Sequence, residues 1–254
     1  MRRLLIGDKR VRVRDEGESS RAPLVCVHMA GGSSVAWMDV VRRVSGRRRV
    51  VAIDLPGHGQ SDPWHDVSLD LYRDAVGTVC AELGIARAVL VGHSMGGAIA
   101  LAAALAFPER VAGLVLVGTG ARLRVGAAFL TVIERRFAEF PEVFRRWAFS
   151  PATPGDLVDR WLAVAVQAPQ EVCLADYRAV DGFDVRDRLG EVKAPALVVG
   201  GADDLLTPPK LSQELAAGLP NARAVIVPHT GHMVFQEQPD AFHAALDPFL
   251  AEVP

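Results

Sequence analysis

Residues 89–100 read Val-Leu-Val-Gly-His-Ser-Met-Gly-Gly-Ala-Ile-Ala and join a strand-like segment to a helix-like one. The β-branched and apolar residues at its start are typical of a buried strand, and the alanine-rich residues at its end favour a helix. A serine at such a sharp strand-to-helix turn stands clear of the backbone, where its hydroxyl can attack an electrophile. Gly92 and Gly96 flank Ser94 because side chains there would clash where strand and helix cross closely.

The Gly-x-Ser-x-Gly pattern alone has other interpretations. It arises by chance about one time in ten in a chain with this glycine and serine content. Ser94 would then only cap the helix that follows, as serine often does. A phosphate-binding turn is the other alternative, but the Gly-x-x-x-x-Gly-Lys-Ser/Thr pattern is absent and no lysine lies nearby in the sequence. Chemistry at Ser94 therefore depends on partners elsewhere in the chain.

The composition predicts a large apolar core and little net charge. Half of the 254 residues are hydrophobic, and the formal net charge is −2, which does not favour a nucleic-acid partner. The only dense basic run, residues 47–49, directly precedes an apolar strand and is expected in a solvated loop. The N-terminal apolar run is too short for a signal peptide, and no stretch has the length of a transmembrane helix. We expect a single domain over residues 1–254, located in the cytoplasm and without a membrane span.

Short apolar runs alternate with helical patterns along the chain, which is typical of a mostly parallel sheet with helices on both faces. Residues 2–6 and 10–14 predict an N-terminal hairpin with Gly7 and Asp8 near its turn. Further strands are predicted at residues 24–28, 50–54, 88–92, 113–118, 196–200 and 223–227. The predicted fold class is therefore α/β, with an eight-stranded sheet.

One long segment interrupts this alternation, between the strands that end near Gly118 and begin near Ala196. It is too long for a single crossover helix, and Pro141 and residues 151–155 divide it into several predicted helices. This insert, about residues 122–187, carries aromatic residues at helix-like spacings: Phe129, Phe137, Phe140, Trp147, Phe149 and Trp161. We expect a helical cap over the carboxyl ends of the strands, with a minority of these aromatics lining a pocket.

A serine hydroxyl needs a base, usually a histidine that a carboxylate holds in place. His232 follows the last predicted strand in Thr-Gly-His-Met and is the preferred candidate. His229 is its competitor, but it abuts the strand end and lacks the glycine that frees the loop. Of the other histidines, His28, His58 and His93 are predicted to pack beside the site, and His65 and His243 to lie at the surface.

The sequence indicates no metal and no cofactor. His229 and His232 with Asp203 and Asp204 would resemble a ligand set, but histidines spaced i, i+3 suit a helix rather than a strand exit. The three cysteines form no Cys-x-x-Cys pattern and are predicted as small core residues without a disulfide: Cys26, Cys80 and Cys173.

The order of these motifs resembles that of the α/β-hydrolase family. The Ser94 turn, residues 54–62 (Asp-Leu-Pro-Gly-His-Gly-Gln-Ser-Asp) and the histidine loop lie in the family's order, and the likeness runs from about residue 24 to residue 250. The resemblance implies a triad in the chain order serine, acid, histidine, with each residue on a loop after a strand. Asp54 is given no catalytic role and is expected to brace its proline-glycine turn.

The resemblance implies that Asp204 is the acid of the triad. Members of the family commonly have Gly-x-x-Asp-x-x-x-Pro after the penultimate strand, which maps onto Gly201, Asp204 and Pro208. Asp203 is then expected to be a solvated neighbour. Some members carry the acid one strand earlier, but residues 118–121 contain no carboxylate.

The resemblance also implies two backbone N–H donors for an oxyanion. Met95 supplies one as the residue after the nucleophile. Members of the family often have His-Gly-x-Gly in the loop after the first parallel strand, and residues 28–32 read His-Met-Ala-Gly-Gly, which assigns the second donor to Ala30. Met29 departs from the pattern, since glycine is common at its place in the family. Methionine resists the positive φ that glycine tolerates.

These residues predict a serine hydrolase that cleaves a small-molecule carboxylic ester or lactone through an acyl-enzyme. Residues 182–189 resemble 3-oxoadipate enol-lactonases and related carboxylesterases, while the Ser94 turn is equally similar to monoacylglycerol lipases and many small-ester hydrolases. Arg122 and Arg124 are candidates for binding a substrate carboxylate. Two alternatives stay open: a perhydrolase or cofactor-free haloperoxidase-like activity, and a small-molecule receptor on the same fold.

Overall fold

The computed structural model describes residues 2–64, 67–165 and 167–254. In this part of the chain one sheet contains β1 (Arg2–Ile6), β2 (Lys9–Glu16), β3 (Leu24–Val27), β4 (Val50–Ile53), β5 (Ala88–His93), β6 (Val111–Val117), β7 (Ala196–Gly201) and β8 (Ala222–Val227). The order across the sheet is β1-β2-β4-β3-β5-β6-β7-β8. β2 runs antiparallel to both of its neighbours, and the other pairs are parallel. The predicted eight-stranded, mostly parallel sheet is confirmed.

Helices follow most of the strands. They are α1 (Met38–Val44), α2 (Leu69–Glu82), α3 (Met95–Ala106), α4 (Ala127–Arg135), α5 (Phe140–Ala148), α6 (Gly155–Ala165), α7 (Gln170–Asp181), α8 (Pro209–Gly218), α9 (Val234–Glu237) and α10 (Pro239–Glu252). Short 3-10 helices span Ser34–Trp37, Pro108–Arg110, Phe137–Glu139 and Arg186–Glu191. None of the described helices is long and apolar enough to cross a membrane.

Every residue of the strands from β3 to β7 is buried, because helices cover both faces of the sheet. Side chains alternate between the faces, so Val25 and Val27 of β3 pack in a cluster with α2, α3 and α8. Leu24 and Cys26 point to the opposite face and pack with α1 and α10. The alternation explains why these strands are apolar throughout.

The crossing of β5 and α3 leaves no room for side chains at the two glycines that flank Ser94. A Cβ atom on Gly92 would lie 2.2 Å from the carbonyl oxygen of Gly96. A Cβ atom on Gly96 would lie 2.2 Å from the carbonyl oxygen of Val27 in β3. The spacing of the glycines therefore reflects backbone contact among β5, α3 and β3.

The insert holds α4, α5, α6 and α7, and its two ends meet beside the sheet. Leu123 N–H donates to the Phe183 carbonyl at 3.1 Å, and Val185 N–H donates to the Ala121 carbonyl at 2.8 Å. Most of its aromatic side chains pack against one another in a separate cluster that includes Phe129, Phe140, Phe144 and Phe149. These two backbone hydrogen bonds hold the first and last residues of the insert together where it leaves the sheet.

All three cysteines are free; Cys26 and Cys173 are buried and Cys80 is half-buried. The prediction for His243 is wrong, since its side chain is buried beside α1 near Asp39. His65 lies outside the described residues.

The glycine contacts predict opposite effects for two substitutions. Gly96→Ala is expected to lower the free energy of unfolding by about 3 kcal/mol or more, because the backbone of β3 has to move. Gly77→Ala, in α2 with no atom within 4 Å of the new Cβ, is expected to raise it by about 0.5–1 kcal/mol. Urea unfolding of both variants measures the difference, and equal effects would contradict the close crossing.

Candidate active site

Ser94 lies at the turn between β5 and α3 in a strained backbone conformation, with φ 55° and ψ −114°. Its N–H donates to the Val117 carbonyl of β6 at 2.8 Å, which ties the turn to the next strand. Its side chain makes no capping hydrogen bond to α3. The helix-capping interpretation of the serine therefore does not fit, and its hydroxyl stays available for chemistry.

His232 and Asp204 meet in the interior of the protein. His232 Nδ1 donates to Asp204 Oδ2 at 2.8 Å, and both side chains are buried. Asp204 Oδ1 accepts from the N–H groups of Leu206 and Thr207, both at 2.8 Å, so the carboxylate shapes its own loop. The hydrogen bond fixes which ring nitrogen of His232 carries the proton and leaves Nε2 free to accept one.

Thr207 is a member of this cluster that the sequence did not reveal. Its hydroxyl donates to Asp204 Oδ2 at 2.7 Å and lies 3.1 Å from His232 Nδ1. Its N–H bonds the other oxygen of the same carboxylate. An aspartate followed three residues later by a threonine is typical of a local hydrogen-bonded turn, and this pattern is the signal that points to Thr207.

Ser94 and His232 line one cavity of about 890 Å³ between the sheet and the insert. Two of the six insert aromatics singled out in the sequence, Phe129 and Trp147, also line it. His229 is exposed at the turn after β8 and is not among the lining residues. The structure therefore brings His232, and not its competitor, to the nucleophile candidate.

The loop after β3 forms a tight turn at residues 29–32. Gly32 N–H donates to the Met29 carbonyl at 3.1 Å, and Gly31 has φ +69°, the arrangement of a type II turn. Among the described non-glycine residues only Ser94 and His229 have positive φ. Met29 therefore needs no left-handed conformation, and the departure from the family's pattern falls where methionine is tolerated.

The backbone N–H groups of Ala30 and Met95 have no acceptor within the described part of the chain. Ala30 is buried in the turn, and Met95 is the first residue of α3, where helix N–H groups lack intrahelical partners. Both are free to bind an incoming oxygen. They remain candidates for the two oxyanion donors.

The insert holds Gly31 from three sides. Asp176 of α7 accepts the Gly31 N–H at 2.9 Å. The Gly31 carbonyl accepts from the N–H groups of Gln167 and Ala168 at 3.3 and 3.2 Å. A Cβ atom on Gly31 would lie 2.9 Å from the Cys173 sulfur. The conformation of the turn after β3 thus depends on residues more than a hundred positions away.

Asp176 is buried in an ion pair with His58. His58 Nε2 donates to Asp176 Oδ2 at 2.8 Å, and His58 Nδ1 donates to the Pro56 carbonyl at 3.0 Å. Burial opposes a charge on this ring, but the carboxylate of Asp176 outweighs it and raises the pKa of His58 above its usual value. Tyr72 donates its hydroxyl to the other oxygen, Oδ1, at 2.7 Å.

The end of α5 lies between the acid loop and the histidine loop. His232 N–H donates to the Ala148 carbonyl at 2.6 Å, and Leu205 N–H donates to the Trp147 carbonyl at 3.3 Å. These carbonyls belong to the last turn of the helix, where they have no intrahelical partner. The insert therefore takes part in positioning both loops.

Glu237 strengthens this junction. Its Oε1 accepts from the N–H groups of Gly231 and Met233, which flank His232, at 3.0 and 3.2 Å. Its Oε2 accepts from Ser150 N–H at 2.9 Å and from the Thr153 hydroxyl. One buried carboxylate thus joins the histidine loop to the segment after α5.

Asp203 is only partly solvated. Asp203 is half-buried, and its Oδ2 accepts from the Ser150 hydroxyl at 2.6 Å. The contact could not be foreseen because Ser150 lies far away in the sequence. Asp54 braces its turn as expected, since its carboxylate accepts from the N–H groups of Ser34 and Gln60 at 2.7 and 3.0 Å.

His28 and His93 pack beside the site as neutral rings. His28 Nδ1 donates to the Met29 carbonyl at 2.7 Å and its Nε2 accepts from Leu55 N–H at 3.1 Å. Burial, followed by the charge on His58, lowers the pKa of His28 to about 4. His93 Nε2 donates to the His232 carbonyl at 2.9 Å, and burial lowers its pKa well below the usual value.

Three arginines line the cavity: Arg122, Arg124 and Arg186. Arg186 binds Asp184 through two hydrogen bonds of 2.8 and 2.7 Å, which lower the pKa of Asp184 to about 2. Arg122 Nε is 3.6 Å from the same carboxylate. Arg124 lies 3.9 Å from Asp181. Neither aspartate lines the cavity, so its wall presents guanidinium groups opposed by the single carboxylate of Glu214.

The chain matches the model of the Alpha/beta hydrolase family over residues 24–245, and it belongs to that family. It is 31% identical to a pimeloyl-(acyl-carrier protein) methyl ester esterase of Nitrosomonas europaea, over 88% of this chain and 94% of that protein. It is also 31% identical to a 2-hydroxy-6-oxononadienedioate/2-hydroxy-6-oxononatrienedioate hydrolase of Paraburkholderia phymatum, over 96% and 91%.

Among solved structures, the enol-lactonase from Burkholderia xenovorans LB400 superposes with a TM-score of 0.87. The two chains are 28% identical, and the match covers 98% of this chain and 100% of that chain. The predicted family is confirmed. Hydrolytic activity is supported because these two curated relatives are an esterase and a hydrolase and this solved neighbour is an enol-lactonase.

The lowered pKa of His28 predicts a loss of stability in acid. The unfolded chain binds a proton at this side chain near pH 6.5, whereas the folded chain resists it until about pH 4. The contribution of neutral His28 is therefore complete above pH 6.5 and declines as the pH falls between these values, by about 2 kcal/mol at pH 5. His28→Gln is expected to remove this part of the acid dependence. Urea unfolding at pH 7.5 and pH 5 tests it, and identical acid dependence in both proteins would contradict it.

Proposed function

We propose that the chain is a serine hydrolase that cleaves a carboxylic ester or lactone through an acyl-enzyme. Ser94 is the nucleophile, His232 the general base and Asp204 the acid that orients it. The buried 2.8 Å hydrogen bond between His232 and Asp204, beside a strained serine on the same cavity, is the observation that carries the proposal. A histidine base that a carboxylate holds in place, together with a serine on the same cavity, supplies the groups that activate a serine hydroxyl.

In the first step Ser94 Oγ attacks the carbonyl carbon while His232 Nε2 takes the hydroxyl proton. Asp204 stabilises the imidazolium that forms, and its remaining hydrogen bonds to Leu206 and Thr207 keep it in place. The carbonyl oxygen becomes an oxyanion that the N–H groups of Ala30 and Met95 bind. Each such donor is worth about 3–4 kcal/mol in the transition state.

The tetrahedral intermediate then collapses. His232 protonates the leaving alkoxide, the bond to the alcohol breaks, and the acyl group remains on Ser94. Water enters the vacated position, His232 takes its proton, and a second tetrahedral intermediate releases the carboxylic acid. The perhydrolase alternative differs only here, with hydrogen peroxide in place of water and a peracid as product.

The cavity favours an ester or lactone with a second acidic group. Phe129, Trp147 and Leu206 provide an apolar wall for a chain or ring, and the guanidinium of Arg122 meets Asp184 only at 3.6 Å. Arg186 is already bound to Asp184 through two short hydrogen bonds, whereas Arg124 is 3.9 Å from Asp181. Arg122 and Arg124 are therefore the arginines best placed to bind a substrate carboxylate. The Paraburkholderia relative supports this proposal, since its named substrates are dioates.

Removing the nucleophile tests the reaction. Ser94→Ala is expected to lower kcat for p-nitrophenyl acetate and butyrate at least about 1000-fold, because no acyl-enzyme can form. A fluorophosphonate probe followed by intact-mass measurement is expected to label the wild-type protein once and the variant not at all.

His229→Asn is the matched control for this experiment. His229 is exposed, and asparagine accepts the positive φ at this position, so kcat is expected to stay within twofold. Full activity of Ser94→Ala would refute the assignment. A burst of p-nitrophenol without steady turnover would favour the receptor alternative, and peracid formation with added peroxide would favour the perhydrolase.

Charge removal tests the substrate class. Arg122→Gln combined with Arg124→Gln is expected to lower kcat/KM for a p-nitrophenyl hemisuccinate about tenfold and to leave the neutral butyrate ester unchanged. Arg188→Gln is the control, because Arg188 pairs with Glu191 and does not line this cavity. Equal losses on acidic and neutral esters would contradict a carboxylate-binding role.

A further inference from the structure

The residue that follows the candidate donor Ala30 is held by the insert and not only by its own loop. Gly31 N–H donates to Asp176 Oδ2 at 2.9 Å, and the Gly31 carbonyl accepts from Gln167 and Ala168. On the other side of Ala30, the Met29 carbonyl accepts from Gly32 N–H and from His28 Nδ1. Both neighbours of Ala30 are therefore held by hydrogen bonds: Met29 by groups of the body, and Gly31 by groups of the insert that include Asp176 of α7.

The group on α7 that binds Gly31 is the carboxylate of Asp176, and both of its oxygens accept hydrogen bonds. Asp176 Oδ2 accepts from Gly31 N–H and from His58 Nε2, and Oδ1 accepts from the Tyr72 hydroxyl. The side chains of Asp176 and His58 are both completely buried. A buried charge pair is costly for stability alone, and replacement by apolar residues of similar volume is often neutral or better. Stability alone therefore does not account for its position against the loop.

We propose that Asp176 is a positioning residue for the oxyanion hole, and that His58 holds its carboxylate in place. The insert thereby sets the place of the Ala30 N–H as well as the walls of the cavity. The inference rests on the proposed function. It adds a residue from α7 to a machinery that otherwise comes from the loops after β3, β5, β7 and β8.

The physical argument concerns the freedom of Gly31. Glycine has more accessible backbone conformations than any other residue, so Gly31 keeps φ +69° only while its peptide groups are held. Loss of the Asp176 bond frees its N–H, and rotation at Gly31 displaces Ala30. A displacement of about 1 Å at a group that acts in the transition state costs roughly 100-fold in rate.

Asp176→Leu keeps the branched shape of the side chain and removes the acceptor of the Gly31 N–H, whereas an asparagine oxygen could still accept at the place of Oδ2. The expected result is a 10- to 100-fold fall in kcat for p-nitrophenyl butyrate with KM within threefold of wild type. The inhibition constant of an alkyl trifluoromethyl ketone, whose adduct with Ser94 places an oxyanion between the two donors, is expected to rise by the same factor. A role confined to stability would change neither kcat nor this inhibition constant at a temperature where the variant is folded.

Tyr72→Phe is the matched control. It removes a hydrogen bond to Oδ1 of the same carboxylate and leaves the Gly31 bond at Oδ2. Its kcat and its inhibition constant for the ketone are expected to stay within threefold of wild type, while its melting temperature falls. Equal effects of Tyr72→Phe and Asp176→Leu on the inhibition constant would overturn the proposal.

His58→Gln serves where Asp176→Leu does not fold. Its expected loss in kcat is three- to tenfold, again matched by the inhibition constant, because the Gly31 bond remains but its acceptor is less firmly held. A fall in kcat without a matching rise in the inhibition constant overturns the positioning role. A wild-type chain that neither hydrolyses the ester nor binds the ketone overturns the proposed function itself, and the positioning role with it.

Discussion

Backbone contact at the crossing of β5 and α3 is the constraint on which the rest of the structure depends. Three segments approach so closely that neither Gly92 nor Gly96 has room for a Cβ atom. The strained Ser94 lies at this crossing, and a Cβ atom on Gly96 would also lie 2.8 Å from the carbonyl oxygen of His28, which directly precedes the turn of residues 29–32. The acid and histidine loops then meet at the same edge, because parallel strands end there together.

The insert binds the loops that follow the strands and helps to position them. The last turn of α5 accepts hydrogen bonds from both the acid loop and the histidine loop, and α7 places Asp176 behind the loop after β3. Glu237 adds a buried carboxylate that joins the histidine loop to Ser150. These are directional contacts between polar groups out of water, where each bond contributes more than at the surface. The loops of the site thus share one polar network with the element that forms the cavity wall.

The sequence was informative where a local pattern determines structure. Valine-rich runs predicted the strands, and the two glycines predicted the close crossing. The place of His232 after the last strand favoured it as the base, and the resemblance to the family implied Asp204 as the acid. The sequence was uninformative where burial results from contacts between distant segments. Asp176 resembles any acidic residue on a helix, yet it bonds Gly31 from 145 positions away. The burial of His243, and in part that of Asp203, escaped prediction for the same reason, because a polar ring and a charge favour solvent only when no partner is brought to them.

The bond between α7 and Gly31 has a consequence for how such proteins diversify. If a relative's insert were grafted onto this body to import a new cavity, the graft would also replace the acceptor of the Gly31 N–H. Recombination at residues 122 and 187 would exchange selectivity and rate together unless the incoming helix carried a carboxylate at the place of Asp176 and the body kept His58. The insert can therefore be exchanged without changing the order of the strands, but not without changing the contacts of the loop after β3. An active chimaera would need residues on the insert and on the body that still bind each other, as Asp176 binds Gly31 and His58.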